Sequence, residues 1–144
     1  MKLEHISKSL KDTEKIVQLL YNKLYNKVNL LIGDLGSGKT TFVRFFAKTS
    51  GIKTTVTSPT FNILQTYNCK DTTIYHFDLY RLESSLELEE IGFYEFTKGN
   101  NTIFIEWADK FNIENIFTRY NKISFYIIEE NKRKIMVDIK NGNS

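Results

Sequence analysis

Cysteine, histidine, proline and arginine are all scarce in this chain, and each shortage closes off a class of function. The single cysteine, Cys69, excludes an internal disulfide and any metal site built from several thiolates. With His5 and His76 as the only histidines, a histidine-rich metal centre is excluded as well. Pro59 is the only proline, and no low-complexity linker divides the 144 residues. No apolar run approaches the roughly 18 residues that suggest a membrane span. The opening "MKLEHISKSLKD" lacks the apolar core of a signal peptide. These features predict a cytoplasmic protein with no membrane partner. The formal charge of +3 is mild and no dense Lys/Arg cluster appears, so the composition does not indicate a nucleic-acid surface.

What is present is enough for one packed domain spanning 1–144, with 41% hydrophobic and 14% aromatic residues. Residues 12–26 place Ile16, Leu19, Leu20 and Leu24 at helical spacing behind Asp12 as a cap. "KVNLLI" is a short apolar run suited to a strand in the middle of a sheet. "TTFVRFFAKTSG" predicts a helix ended by Gly51. "FNILQTYN" and "TTIYHFDLY" flank "CKD" as a hairpin, and "SSLELEEIGF" predicts a short helix behind a serine cap. "NTIFIEW" predicts another buried strand, and "KISFYIIEENKRKIMVDI" a closing β-hairpin turning near Asn131. Early alternation followed by hairpins predicts an α/β fold, with a mixed central sheet flanked by helices and a C-terminal β-hairpin.

The chemistry begins with "GDLGSGKT" at 33–40, directly after the apolar strand and before the helix. The pattern G-x-x-x-x-G-K-T in that setting reads as a phosphate-binding loop, rather than as a glycine-rich strand–helix turn with a surface lysine. Gly33, Gly36 and Gly38 allow the backbone through Asp34, Leu35 and Ser37 to curl so that successive N–H groups face one anion. The helix starting near Lys39 adds the positive end of its dipole. Lys39 is expected at the β- and γ-phosphates, and the Thr40 hydroxyl on magnesium, with Thr41 following. The guanine signature N-K-x-D is absent, so ATP is preferred over GTP.

A magnesium site needs an acid beyond the loop. Glu106 ends the strand "TIFIE", and ligands of open α/β sheets collect at the carboxyl ends of strands. A carboxylate there can hold magnesium directly or through water. The neighbouring Trp107 suits a core position or a site wall. In "IYHFDLYR", strand alternation puts His76, Asp78 and Tyr80 on one face, with Arg81 at the end. Asp78 there would suit orienting a water, while spacing alone describes an ordinary half-exposed hairpin face equally well. "TSPTF" displays Ser58 and Thr60 around Pro59, either as a plain turn or as a loop that senses the γ-phosphate.

Taken in order, "GDLGSGKTTFVRFF", "SPTF", "IYHFDLYRLES" with "ELEEIGF", and "IFIEW" resemble the bacterial TsaE (YjeE) family. These are small P-loop ATPases needed for threonylcarbamoylation of tRNA. The resemblance runs over residues 33–107 and implies a P-loop NTPase-like fold with ATP and Mg2+ as cofactors. It implies Gly36 to Thr41 at the phosphates, Thr40 and Glu106 on the metal, and Asp78 with Lys39 as the catalytic pair. It implies Ser58 and Thr60 as a switch-like loop, with His76, Tyr80, Arg81 and Trp107 in support. It also implies that the chain acts with TsaD and TsaB, meeting tRNA only through that assembly. One departure follows the tryptophan, where many relatives have Pro or Ser and then an acid while this chain reads "ADKF".

Two other readings fit a P-loop domain. A small-metabolite kinase would close an arginine-bearing lid over the transferred phosphoryl group, whereas Arg44, Arg81, Arg119 and Arg133 are scattered here. A nucleotide-gated interaction module would have no need of both Asp78 and Glu106.

Overall fold

The apolar run at 28–33 lies in the middle of the sheet, and the rest of the chain is arranged around it. The computed structural model describes residues 1–57, 63–99 and 101–140. In chain order the strands and helices are β1 (Lys2–Ser7), α1 (Leu10–Leu24), β2 (Val28–Gly33), α2 (Lys39–Thr49), β3 (Ile52–Thr57), β4 (Leu64–Cys69) and β5 (Thr73–Asp78). They continue as α3 (Leu86–Glu90), α4 (Phe93–Phe96), β6 (Thr102–Glu106), a 3-10 stretch (Lys110–Ile116), β7 (Tyr120–Glu129) and β8 (Lys132–Lys140). The described residues form one eight-stranded sheet in the order β1-β8-β7-β2-β6-β5-β4-β3.

The sheet is mixed, as expected. Four neighbouring strands, β7, β2, β6 and β5, are parallel, and antiparallel pairs extend them on both sides. Because the four central strands run the same way, their carboxyl ends share one edge. There the register sets Asp78 beside Glu106, and Gly33 beside Phe125. That edge is where an open α/β sheet offers room for a ligand.

Alternation along β6 divides the core in two. Phe104 faces α1 and α2, with its ring 5.0 Å from Phe46 and 6.4 Å from Phe42. Ile103 and Ile105 face the other way, against Phe77, Leu88, Phe93 and Ile113. All five residues of β6 are buried, which explains its nearly continuous apolar character. Beneath this layer the buried Asn29 amide donates to the carbonyls of Leu24 and Lys27 and accepts from Asn121. It thereby adds a second hydrogen bond to each of two carbonyls that already accept from backbone amides, Leu24 from Lys27 and Lys27 from Ile103, and ties the exit of α1 to β2 and β7.

Helix α1 differs from expectation at its start and on its face. Ser9 is the cap, with its hydroxyl accepting from the Asp12 amide, while the Asp12 carboxylate reaches back to the Lys8 amide. This reciprocal pair is a capping box shifted outward, and the helix therefore begins at Leu10. The buried stripe is Thr13, Ile16, Val17, Leu20 and Leu24, and Leu19 points to solvent. Ser85 precedes α3 as expected, but its side chain makes no capping bond. Strand β1 carries no strong apolar signal in the sequence; it is an edge strand held by β8. No helix among the described residues is long and apolar enough to cross a membrane.

Candidate nucleotide site

Residues 33–41 join the end of β2 to the start of α2 at the carboxyl edge of the sheet. Gly38 adopts φ 107°, a left-handed conformation that side chains resist, and it turns the chain into the helix. Gly33 is needed for a different reason. A Cβ there would fall 2.7 Å from Ser37 Oγ and 2.9 Å from the Phe125 carbonyl oxygen. Around Gly36 and Gly38 an added Cβ would meet nothing within 4 Å, so the loop encloses open space shaped by its own backbone.

Two cavities meet at this loop, and Gly36, Gly38 and Thr41 line both. The smaller, about 230 Å³, is walled by Lys39, Thr40, Asp78, Tyr80, Glu106 and Trp107. The larger, about 600 Å³, lies towards the start of α1 and the β7–β8 hairpin, and includes Ser9, Leu10, Phe125, Arg133 and Ile135. The loop thus separates a small polar chamber from a larger amphipathic one.

The small chamber gathers the expected acids. Thr40 Oγ1 donates to Glu106 Oε2 at 2.7 Å, and His76 Nε2 donates to the same oxygen. His76 and Glu106 are both buried, so the half-exposed hairpin face is not what this segment forms at His76. Burial alone would raise the Glu106 carboxyl, but the hydrogen bond and charge of His76, the Thr40 hydroxyl and Lys39 together hold it below the usual glutamate value. Asp78 lines the chamber and its Oδ1 accepts from the Tyr80 amide at 3.1 Å. The Tyr80 ring lies 4.9 Å from Trp107, which adopts φ 60° as the chain leaves β6.

Lys39 is 5% exposed, yet its ammonium reaches the chamber. It donates to the carbonyls of Gly33 and Asp34 and lies 3.9 Å from the centre of the Trp107 ring. Burial lowers its pKa, against the opposing charges of Glu106, Asp78, Asp109 and Asp34.

Not every expected residue falls here. Arg81 is exposed and lies outside the walls of both cavities. Leu35 belongs to the loop, but its side chain is largely in solvent. Ser58 and Thr60 lie outside the described residues. Other residues enter unannounced. Arg133 Nη2 donates to the Gly36 carbonyl at 3.3 Å, while Nη1 donates to carbonyls of Glu129, Glu130 and Lys132. That ties the hairpin turn to the phosphate loop across 97 positions, a contact for which the sequence offers no periodic signal. Asp109, within the departing "ADKF", contributes charge at Lys39.

Comparison with known proteins decides the family. Residues 7–135 match the family model described as threonylcarbamoyl adenosine biosynthesis protein TsaE. The chain belongs to the TsaE family. A tRNA threonylcarbamoyladenosine biosynthesis protein TsaE of Rickettsia felis is 45% identical over 125 residues, covering 85% of this chain and 71% of that protein. Its counterpart in Rickettsia typhi is 39% identical over 142 residues, covering 96% and 95%. The crystal structure of Bacillus subtilis YdiB matches with a TM-score of 0.75 at 26% identity, covering 98% of this chain and 87% of that one. The TsaE family match therefore embraces both the loop and the two acidic strand ends.

Proposed function

We propose that this chain binds ATP with magnesium at the 33–41 loop and hydrolyses it, serving threonylcarbamoylation of tRNA in the cytoplasm with TsaD and TsaB. The observation that carries the reading is the meeting of Thr40, in the first turn of α2, with Glu106, which is paired with Asp78 on adjacent strand ends of one sheet edge.

The donor set fits magnesium. Among the described residues no group of three or more His, Cys, Asp or Glu side chains could form a cage. Magnesium asks for less, since it keeps waters and takes one or two protein ligands plus substrate phosphates. Thr40 directs its proton at Glu106, which leaves its oxygen lone pairs free for a cation. Glu106 Oε2 already accepts two hydrogen bonds, so Oε1 is the oxygen left to the metal or its water. Thr40 and Glu106 would hold magnesium there, and the chemistry it would supply is neutralisation of negative charge on the phosphates.

The remaining work belongs to the protein. The backbone amides around Gly36–Thr40 would cradle the phosphates at the start of α2. Lys39 would exchange its two carbonyl acceptors for phosphate oxygens. Asp78 has one oxygen held by the Tyr80 amide and another free to accept from a water in the chamber, so it would orient the nucleophile. Tyr80 and Trp107, with rings 4.9 Å apart, would wall one side of the chamber and limit the access of bulk water. The larger cavity, with the apolar Leu10, Phe125 and Ile135 beside the Ser9 hydroxyl, has the size and mixed lining for the nucleoside.

Calorimetry with a non-hydrolysable ATP analogue should show magnesium-dependent binding, with the GTP analogue weaker because no guanine-reading signature is present. Labelled γ-phosphate should appear as free phosphate. Equal affinity for the two nucleotides would overturn the base assignment, and label on a small-molecule acceptor would make the chain a kinase.

A further inference from the structure

The turn after Asp78 is held by a residue from another strand's exit. Lys110 stands four residues after Glu106, at the start of the 3-10 stretch. Its Nζ donates to the carbonyls of Tyr80 at 2.8 Å, Leu82 at 3.0 Å and Leu79 at 3.4 Å. An ammonium has three N–H donors and no acceptor, so these three carbonyls use its full capacity. The chain between them is a tight turn, closed by the Leu82 amide on the Leu79 carbonyl at 3.1 Å. Three carbonyl oxygens converging on one point repel each other unless a cation sits among them. The shape of the turn therefore depends on Lys110.

That turn also fixes the catalytic carboxylate. The Leu79 carbonyl and the Tyr80 amide belong to one planar peptide group. Lys110 takes the oxygen of this group, and Asp78 Oδ1 accepts from its N–H. Rotation of the peptide would move the hydrogen that orients Asp78. The same turn carries Tyr80, whose ring meets Trp107, and the Leu79 amide donates to the Glu106 carbonyl at 3.2 Å. Lys110 closes this circuit from the β6 side.

We propose that Lys110 is a positioning residue for ATP hydrolysis: by holding the 79–82 turn it sets the orientation of the Asp78 carboxylate and of the Tyr80–Trp107 wall. Lys110 is not among the residues that line either cavity, and the inference rests on Asp78 acting on the water. Lys110→Met keeps the length of the side chain and removes all three donors. Single-turnover hydrolysis at saturating Mg-ATP is expected to slow roughly 10- to 100-fold, the cost of a catalytic group displaced by about an ångström. ATP affinity by calorimetry should stay within about twofold, since the loop contacts are untouched. The chain has one tryptophan, so the emission of Trp107 in nucleotide-free protein should shift as the Tyr80 ring loses its fixed place. Lys110→Arg, which retains donors at the same reach, should recover much of the rate. If Lys110→Met does not fold, Lys110→Gln, with a single amide donor group, should give an intermediate rate and an intermediate shift.

Asp78→Asn is measured beside these variants. A slow Asp78→Asn with Lys110→Met at the wild-type rate and unshifted emission would overturn the role of Lys110 alone. A fall in ATP affinity matching the fall in rate would also overturn it, because the lysine would then serve binding. Asp78→Asn at the wild-type rate would remove the reading on which the inference rests.

Discussion

Exchanging Asp78 for asparagine is expected to slow ATP hydrolysis by about 10²- to 10⁴-fold, the range contributed by a positioned acid–base group. ATP affinity should change little. The amide keeps the shape of the carboxylate and can still accept from the Tyr80 amide through its oxygen, so the turn at the end of β5 is preserved. What it loses is the negative charge and the second acceptor facing the chamber. Those are the features that would orient a water and draw its proton as it attacks. Phosphate release and calorimetric affinity, measured on the same preparation, separate the two effects. A variant that hydrolyses normally within the full assembly would exclude Asp78 from the chemistry.

Lys39→Ala is expected to fail at an earlier step. The side chain would supply a charge-assisted hydrogen bond to the phosphates, worth about 1.5–3 kcal/mol, so its loss should weaken ATP binding roughly 10- to 200-fold. The fold should survive, because removing a cation whose burial lowers its own pKa relieves a desolvation cost. Glu106→Gln should differ from both. The amide oxygen can still accept from His76 or Thr40, yet the charge that favours a divalent cation is gone. Titrating magnesium at fixed ATP should then show magnesium dependence and nucleotide affinity falling together. A Lys39→Ala protein that binds ATP as tightly as the parent would place the nucleotide elsewhere.

The phosphate loop was legible because its chemistry is local: glycines, lysine and threonine at fixed offsets between a buried strand and a helix. Glu106 was legible for a related reason, since an apolar run that ends in an acid marks a strand leaving the core at its carboxyl end. The pairing of Asp78 with Glu106 needed the sheet order, because two parallel strands bring together residues that no sequence spacing relates. His76 illustrates the limit of alternation. Strand periodicity put it on one face with Asp78, but only tertiary packing makes that face buried at His76 and open at Asp78. The cap of α1 was misplaced because Ser9 and Asp12 are both good N-cap residues, and the reciprocal bond between them decides which one precedes the helix. Arg133 and Lys110 escaped the sequence entirely. Each acts by donating to backbone carbonyls across long separations, and a carbonyl acceptor leaves no mark in residue identity.

Under the proposed function, transition-state charge and water exclusion are expected to be incomplete on this chain's own side of the chamber. Arg133, which bonds the loop at Gly36, is committed to four carbonyls, and Arg81 is exposed and outside the walls of both cavities. A partner that covers the chamber would complete both requirements, as partner-supplied groups do for switch GTPases. Linkage then requires that a partner bound preferentially in the presence of ATP tighten ATP binding in return. Steady-state phosphate release, followed with and without the TsaD–TsaB pair over an ATP titration, tests this most directly. Slow release alone, a higher rate with the pair and a tighter apparent affinity for ATP are the predicted result. Fast turnover in isolation, or a rate and affinity indifferent to the pair, would contradict it.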